Sequence, residues 1–294
     1  MGGSGHSLAR PRPGTSQGQG PEPGTEYLLW QTLAGAWPIG YDRAASYLVK
    51  AMREAKTRTS WTDPDEGYEA AALAYTEAVL GDPGLTAAIG EFVSGIAPDA
   101  RVNSLGAKLV QLTMPGVADV YQGCELTGFA LVDPDNRRLV DYGLRRELLA
   151  RQDAVSASQH EASQHGASNG PPAPATGLDA EKLLVTSRAL RLRRDHPDWF
   201  AGGYTPLPVT GPAARHALAF GRGGRVVTVA TRLPAGLRRA NGWTGTTLRV
   251  AETRWRDVLT GVTHEGPLLL LSQLMRQLPV ALLVADDEVN GDDA

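Results

Sequence analysis

The side chains best suited to chemistry in this sequence lie between residues 113 and 138. An apolar run over residues 117–121 predicts a short buried strand, with the turn signal Pro115-Gly116 before it and Gly123 after it. Six side chains that could hold a ligand lie at or beyond the end of this run: Tyr121, Gln122, Asp133, Asp135, Asn136 and Arg137. Because α/β barrels bind their ligands at the C-terminal ends of the strands, this loop is the predicted functional site.

These six side chains have groups that can bind a ligand rich in hydroxyls, such as a sugar. Planar carboxylate, amide and guanidinium groups can form paired hydrogen bonds with sugar hydroxyls, and an aromatic ring can stack on the face of a pyranose. The alternative hypothesis is structural, because Asx turns and an Arg–Asp ion pair could simply hold the loop together.

Glu125 and the nearby aspartates raise the question of a catalytic pair. Retaining glycosidases use two carboxyl groups about 5–5.5 Å apart, one as nucleophile and one as proton donor. Any loop rich in aspartate could supply such a pair, so the pattern alone is weak evidence. We therefore assign no catalytic residue in this sequence.

Composition argues against several classes of function. The net charge of −3 gives no case for nucleic acid or an anionic membrane as partner. No run approaches the roughly 18 apolar residues that span a bilayer, and the N-terminus lacks the apolar segment of a secretory signal. The single cysteine, Cys124, excludes an internal disulfide and fits a reducing compartment, so a cytoplasmic location is expected. The histidines lack the spacing of a metal site, and none is predicted.

Residues 26–113 predict a series of helices. One amphipathic face consists of Tyr47, Leu48, Ala51, Met52 and Ala55. The next helix is predicted to begin after Asp63 as its N-cap and to end at Gly81. Its apolar stripe consists of Tyr68, Ala71, Ala72, Tyr75 and Val79. Two further helices carry the stripes Leu85, Ile89, Phe92, Val93 and Ile96, and then Leu105, Leu109 and Leu112. We expect the aromatic side chains on these stripes to pack in a core.

After about residue 199 the pattern changes to short strands separated by glycine and proline turns. The predicted strands are 217–221, 226–233, 247–250, 255–259 and 280–284, which favour a small antiparallel β-domain. Residues 152–177 contain no leucine and no phenylalanine, tyrosine or tryptophan, so composition alone predicts an interdomain linker. Residues 1–25 and the acidic residues 287–294 predict disordered tails.

Several separate blocks of this sequence resemble, in the same order, the maltooligosyl trehalose synthases of the α-amylase superfamily (glycoside hydrolase family 13). Residues 115–125 (PGVADVYQGCE) look like the eighth barrel strand of that superfamily. The other blocks are 26–38 (EYLLWQTLAGAWP), 50–56 (KAMREAK), 59–65 (TSWTDPD), 101–105 (RVNSL) and 132–138 (VDPDNRR). The resemblance spans residues 26–285 and is specific because so many blocks match.

This resemblance implies an α/β plus β fold, namely the C-terminal part of a (β/α)8 barrel with helical insertions, followed by a small antiparallel β-domain. The barrel part would occupy residues 26–197 and the β-domain residues 198–286. Residues 179–195 would then be the last barrel helix, ended by His196-Pro197. Residues 152–177 would be a flexible loop within the barrel rather than a linker. Cys124 stands where the family is expected to have a hydroxyl residue, which puts a polar contact there in doubt.

The resemblance also implies an activity. Family members replace the reducing-end α-1,4 bond of a maltodextrin by an α,α-1,1 bond, through intramolecular transglucosylation without an organic cofactor, in trehalose biosynthesis. Three barrel carboxylates carry out this reaction, and none of them has a matching position in this sequence. The chain is therefore expected to be a C-terminal fragment that is inactive alone. The implied partner is a maltooligosaccharide. Two alternative hypotheses stay open. The chain could be a non-catalytic carbohydrate-binding or interaction module, or it could be one half of a split enzyme that a separately encoded N-terminal barrel portion completes.

Overall fold

The computed structural model describes residues 20–164, 177–251 and 254–286, with residues 156–164 described by their backbone alone. These residues form two compact units. The first ends at Ala97 and also includes residues 129–138, and the second consists of residues 98–128 and the residues from 139 onward. This grouping does not test the predicted domain boundaries, which stay predictions. The predicted tails lie outside the described residues at 1–19 and 287–294. The predicted N-terminal tail is wrong for residues 23–25, which form the start of the first helix. None of the described helices is long and apolar enough to cross a membrane.

The first unit is helical, which confirms the prediction for residues 26–113. Its helices are α1 (Pro23–Ala36), α2 (Tyr41–Ala55), α3 (Glu66–Gly81) and the first half of α4 (Pro83–Thr113). Leu29, Leu33, Tyr75 and Val79 are buried in its main core, since the apolar faces of α1 and α3 pack together there. Residues of α2 and α3 form a second, smaller core.

The N-cap predicted for α3 is wrong by two residues. The helix begins at Glu66, and the carboxylate of Asp65 accepts a hydrogen bond from the Tyr68 amide at 2.9 Å. The backbone amide of Asp63 instead donates a hydrogen bond to the Ser60 hydroxyl at 3.0 Å. Both aspartates have the chemistry of a cap, and only the loop geometry selects Asp65.

The two helices predicted between residues 85 and 112 are one continuous helix, α4, which passes through Pro98. Leu105, Leu109 and Leu112 are buried as predicted. The core positions predicted for Phe92 and Ile96 are wrong, because both side chains are exposed. The apolar pattern continues along α4, but the core of the first unit is contacted by Leu85, Ile89 and Val93, within the first three turns of the helix.

The second unit contains α5 (Tyr142–Gln164), α6 (Leu178–Asp195) and α7 (Pro197–Ala201). Helix α6 confirms the helix predicted over residues 179–195, including its end before His196. The loop predicted over residues 152–177 is wrong for residues 152–164, which continue α5. Alanine, glutamine and glutamate are good helix formers, and the prolines of this segment occur only after the helix ends. Residues 165–176 lie outside the described part.

Among the described residues, the strands form two antiparallel sheets. The strands are β1 (Tyr204–Pro206), β2 (Val209–Thr210), β3 (Ala217–Arg222), β4 (Val226–Thr231), β5 (Thr247–Arg249), β6 (Arg254–Asp257), β7 (Thr263–Glu265), β8 (Leu268–Leu270) and β9 (Val280–Ala285). Two short helices, α8 (Pro234–Arg239) and α9 (Leu271–Leu274), lie between them in the sequence. The larger sheet has the order β1-β3-β4-β9-β6-β7 and the smaller one β2-β5-β8. All five predicted strands are present, and β1, β2, β7 and β8 were not predicted.

The larger sheet is buried on both faces at its centre. Val226 and Ala230 of β4 pack with Leu105, Leu109 and other residues of α4 and α6, whereas Val227 and Val229 pack with the smaller sheet. Alternate side chains of a strand point to opposite faces, so a strand covered on both sides is apolar throughout. This explains why β4 and β9 have continuous apolar sequences rather than alternating ones.

The strand predicted over residues 117–121 is not present. This segment has no strand partner, and the side chain of Val117 is 97% exposed. All strands among the described residues lie between residues 204 and 285, and none of them pairs with this segment. An apolar run forms a strand only where a neighbouring strand accepts its backbone hydrogen bonds.

Candidate functional site

The predicted loop starts at the end of α4, and two long side chains of the second unit fix its first part. Arg193 donates hydrogen bonds to the carbonyl oxygens of Leu112 and Gly116, both at 2.9 Å. Gln111 donates from its amide to the carbonyl of Asp119, also at 2.9 Å. This backbone is therefore held by side chains although it belongs to no sheet.

Tyr121 and Gln122 lie on the surface of the second unit, at a tight turn. Both side chains are exposed, and Gln122 has a positive φ of 52°. Gly123 follows with φ 77°, and a Cβ there would lie 2.5 Å from Nη2 of Arg145 and 3.2 Å from Cγ1 of Val140. The positive φ favours glycine at position 123, and the side chains of Arg145 and Val140 leave little room there for a Cβ atom. The turn presents the ring of Tyr121 and the amide of Gln122 to solvent.

Glu125 is held by an ion pair rather than left free for catalysis. Its carboxylate accepts a hydrogen bond from Nε of Arg145, and both side chains are mostly buried. The same guanidinium donates to the carbonyls of Gly123 at 2.8 Å and Asp141 at 2.9 Å. Arg145 therefore connects the start of α5 to the turn at Gly123 by hydrogen bonds, and Glu125 neutralises the charge of its guanidinium.

Two lysines lie beside this turn and were not predicted as part of the site. Lys108 is 6% exposed, and its Nζ donates to Oε1 of Gln111 at 2.7 Å and to Sγ of Cys124 at 3.6 Å. Lys182 donates to the carbonyl of Leu126 at 2.7 Å. Burial lowers the pKa of Lys182, and the nearby charge of Lys108 lowers it further. One signal could have found Lys108, because it interrupts the leucine stripe of α4.

In the first unit, Asp135 is the centre of the turn formed by residues 131–138. Its Oδ1 accepts from Nε of Arg43 at 2.8 Å, and its Oδ2 accepts from Nη2 of Arg43 at 2.8 Å and from the Leu131 amide at 2.7 Å. Arg43 also donates to the carbonyl of Phe129. The Arg43 guanidinium lowers the pKa of Asp135 to about 2, with help from the Leu131 amide. Asp135 is thus an acceptor whose oxygens are already occupied.

The residues on either side of Asp135 are more available. Asp133 and Arg137 form an ion pair of 2.5 Å in which both side chains are exposed. Asn136 lies in the one-turn 3-10 helix Asp135–Arg137. Its Oδ1 is buried and accepts no hydrogen bond from the described residues. Such an acceptor is uncommon, because most buried polar atoms find a partner.

The six predicted side chains therefore fall into two groups that belong to different units. Asp133, Asp135, Asn136 and Arg137 lie in the first unit, and Tyr121 and Gln122 lie in the second. The contacts of Asp135 match the structural hypothesis, whereas the other five side chains retain unused hydrogen-bonding groups or ring surface. Their roles in ligand binding stay predictions. The described residues contain no group of acidic, histidine and cysteine side chains that could hold a metal ion.

Comparison with known proteins identifies relatives of this chain. No protein-family model matches the sequence. The chain is 38% identical over 275 residues to the Mycobacterium tuberculosis protein named Putative maltooligosyl trehalose synthase, and this match covers 91% of the chain and 32% of that protein. Its structure resembles that of maltooligosyltrehalose synthase from Arthrobacter ramosus, with a TM-score of 0.77 and 40% identity over 88% of the chain. It also resembles a hypothetical maltooligosyl trehalose synthase from Sulfolobus tokodaii, with a TM-score of 0.62 and 26% identity over 89% of the chain. The chain spans 32% of the length of each of these three relatives.

Proposed function

We propose that this chain, which is homologous to about a third of maltooligosyl trehalose synthase, supplies part of the substrate-binding surface of such an enzyme. The reaction would be the intramolecular replacement of the reducing-end α-1,4 bond of a maltooligosaccharide by an α,α-1,1 bond. One observation carries the proposal: the match in sequence and structure extends over 91% and 88% of the chain, respectively. The cytoplasm is the proposed location, on the basis of the single cysteine.

The finer architecture belongs to the same proposal. Residues 26–197 would form the last part of a (β/α)8 barrel with its helical insertions, and residues 198–286 the C-terminal β-domain. The helices α1 to α6 and the location of every described strand between residues 204 and 285 support this division. In this arrangement residues 113–138 contain the position of the last barrel strand and the loop after it, where barrels bind their ligands.

The available side chains of the loop would contact the maltooligosaccharide. Sugar hydroxyls both donate and accept hydrogen bonds, so they could bind the carboxylate of Asp133, the guanidinium of Arg137 and the accessible part of the half-buried Asn136. The exposed ring of Tyr121 could cover a pyranose face, and Gln122 could bind its hydroxyls. Asp135 would act as a positioning residue, since its bonds to Arg43 and Leu131 hold the turn that carries Asn136.

The groups that break and form bonds would come from a part of the enzyme that this chain does not cover. A transglucosylation with retention needs a carboxylate nucleophile and a carboxylic acid on either side of the bond. Within this chain the best-placed carboxylate of the second-unit loop, Glu125, is committed to Arg145. The relatives are about three times as long as the matched region, which leaves room for those groups.

The proposed partner is therefore the remaining portion of the barrel, and the second unit has a surface suited to it. Apart from Tyr121, several large apolar side chains near the loop are exposed: Met114, Val117, Leu139, Tyr142 and Leu144. Soluble proteins rarely expose such a concentration of apolar side chains unless another surface covers it.

The test is the formation of trehalosyl ends from maltopentaose, measured as the loss of reducing ends. The purified chain is assayed alone and after mixing with the separately expressed portion of the Arthrobacter ramosus enzyme that it does not cover. We expect no product from either part alone and product from the mixture. Product from the chain alone would refute the assignment of the catalytic groups to the partner. A stable mixed complex without product would refute the proposed function.

A matched pair of variants tests the loop in the same assay. Arg137→Ala removes a proposed sugar contact, whereas Arg194→Ala removes an equally exposed arginine that pairs with the neighbouring Asp195 in α6. We expect the first variant to raise KM severalfold and the second to leave it unchanged. Equal KM values in the two variants would exclude Arg137 from the binding surface.

A further inference from the structure

We propose a second carbohydrate contact, centred on the exposed indole of Trp61 in the loop between α2 and α3. It adds a new subsite to the proposed function and takes from that function only the class of ligand, an α-1,4-linked glucan. All six tryptophans of the chain lie among the described residues. Trp61 alone is exposed, with 56% of its surface accessible to solvent.

The loop that carries Trp61 is anchored to the buried carboxylate of Glu69. This carboxylate accepts two hydrogen bonds from Arg53, at 2.8 and 2.7 Å, and one from the Thr59 hydroxyl at 2.5 Å. Arg53 lowers the pKa of Glu69, so the carboxylate stays ionised. The Thr59 hydroxyl in turn accepts from the amide of Asp65 at 3.0 Å. Both ends of the loop are therefore fixed to α2 and α3.

The middle of the loop is closed by its own backbone. The Ser60 amide donates to the carbonyl of Asp63 at 3.1 Å, and the Asp63 amide donates to the Ser60 hydroxyl at 3.0 Å. Trp61 lies inside this closed turn. Its exposure is thus a property of a well-bonded loop, not of a loose one. The hydrogen bonds of Thr59 and the capping of α3 by Asp65 explain why this loop folds. They give no reason for a tryptophan at position 61.

The indole is also held in position by a cation. The guanidinium of Arg53 lies 5.0 Å from the centroid of the Trp61 ring, which is a cation–π distance. Because Glu69 fixes Arg53, the ring rests on a support that is itself immobile. A ring positioned in advance loses little conformational entropy when a ligand stacks on it.

The chemistry of this loop fits a pyranose. A glucose ring has apolar C–H faces and a rim of hydroxyls, so it needs an exposed flat apolar surface with polar groups near it. Trp61 provides the apolar surface. The neighbouring Thr62 hydroxyl and Asp63 carboxylate are exposed and can bind hydroxyls. Burying the accessible part of the ring under a sugar would remove apolar area from water, which is the favourable term for stacking.

The experiment is a calorimetric titration of the full chain with maltoheptaose, compared among three variants. Trp61→Ala removes the ring, and Trp61→Phe keeps a smaller one. Tyr27→Ala removes a different exposed aromatic side chain of the first unit, on α1, and is the matched control. We expect Trp61→Ala to weaken binding about tenfold, equivalent to about 1.4 kcal/mol, with Trp61→Phe in between and Tyr27→Ala unchanged. Melting temperatures identify any variant that fails to fold.

The outcomes separate this subsite from the proposed function. Equal affinities of the wild type and Trp61→Ala, equal losses in Trp61→Ala and Tyr27→Ala, or no binding by the wild-type chain would each overturn the subsite. Binding that depends on Trp61, together with a mixed complex that forms no trehalosyl ends, would retain the subsite and refute the proposed reaction. If the mixture forms trehalosyl ends but the affinity for maltoheptaose does not depend on Trp61, the proposed reaction is retained and the subsite is refuted.

Discussion

At the level of single residues, the loop shows how two aspartates of one motif come to differ in function. Asp135 accepts hydrogen bonds from Arg43 and the Leu131 amide and is mostly buried, whereas Asp133 has one exposed ion pair with Arg137. A buried carboxylate with charged donors contributes to stability, and an exposed ion pair contributes little. Asp135 is therefore a structural residue, and Asp133 remains free to bind a ligand.

This difference predicts how stability changes with pH. The pKa of Asp135 is about 2 in the folded chain, below its model-compound value of 3.8. A lowered folded-state pKa stabilises the fold above the unfolded pKa, and this stabilisation is lost as pH falls from about 4 to about 2. We expect Asp135→Asn to reduce the free energy of unfolding by about 2 kcal/mol at pH 7 and to have little effect at pH 2.

Urea unfolding of the wild type and Asp135→Asn at several pH values would measure this effect. Asp133→Asn is the matched control, and we expect it to change the free energy of unfolding by about 0.5 kcal/mol or less at every pH. A difference between wild type and Asp135→Asn that is the same at pH 2 and pH 7 would show that the Arg43 pair is not its source.

The sequence identified the polar loop but not the internal partners of its residues. Asp135 and Arg43 are 92 positions apart, and Glu125 and Arg145 are 20 apart. No local pattern encodes such pairs, because each depends on tertiary structure within its own unit: the first on how α2 packs against residues 131–138, and the second on how α5 packs against residues 121–125. The sequence therefore could not show that Asp135 is hydrogen-bonded inside the fold whereas Asp133 is exposed. Lys108 was a missed local signal, since a lysine on a leucine stripe needs a buried partner.

At the level of elements, the helix predictions were mostly correct, whereas the strand predicted at residues 117–121 is absent from the structure. Helices α2 and α3 form their hydrogen bonds within one segment, so apolar spacing is sufficient to locate them, whereas α6 was predicted from the family resemblance. A strand depends on a neighbour that may lie far away in the sequence, and the described residues supply none for this segment. The antiparallel strands β3 and β4 succeeded as predictions because a tight turn joins them.

Arg222 is the side chain that connects the elements of the second unit around the start of the loop. It lies in β3, is 2% exposed and has no carboxylate partner among the described residues. Its guanidinium donates to the carbonyls of Thr113 at 2.9 Å, Gly202 at 2.9 Å and Gly203 at 3.1 Å, and to the carbonyl of Phe200. The guanidinium of Arg222 therefore donates hydrogen bonds to backbone carbonyl oxygens at the C-terminal ends of both α4 and α7.

We expect Arg222→Met to destabilise the second unit by about 3 kcal/mol or more. The substitution keeps much of the apolar stem but leaves several buried carbonyl oxygens without a donor. The midpoint of urea unfolding, followed by circular dichroism, measures the change. Arg151→Ala, which breaks an exposed pair with Glu147 on α5, is the control and should leave the midpoint unchanged. Equal midpoints for the wild type and Arg222→Met would show that the carbonyls find water instead.

At the level of the whole molecule, the exposed apolar side chains of the second unit have a clear local arrangement. Arg145 of α5 binds the Gly123 carbonyl, and the side chain of Val140 faces Gly123. This places Gly123 beside the segment that begins at Leu139, and Val117 precedes Gly123 by six residues in the sequence. Val117 is 97% exposed and Leu139 is fully exposed, so neither residue packs against the part of the chain that the structure describes. The favourable free energy of burying these two side chains can be gained only when another surface covers them.

That exposure makes the proposed barrel partner directly testable. The double variant Val117→Asp, Leu139→Asp should retain the melting temperature of the wild-type chain, because it removes no internal contact. It should bind the complementary portion of the Arthrobacter ramosus enzyme at least about tenfold more weakly, since charges would be buried in the interface. Leu268→Asp, at an exposed leucine of β8, is the control and should bind like the wild type. Equal affinities of all three proteins would place the interface elsewhere, whereas a weaker double variant that still melts normally would assign this surface to the partner.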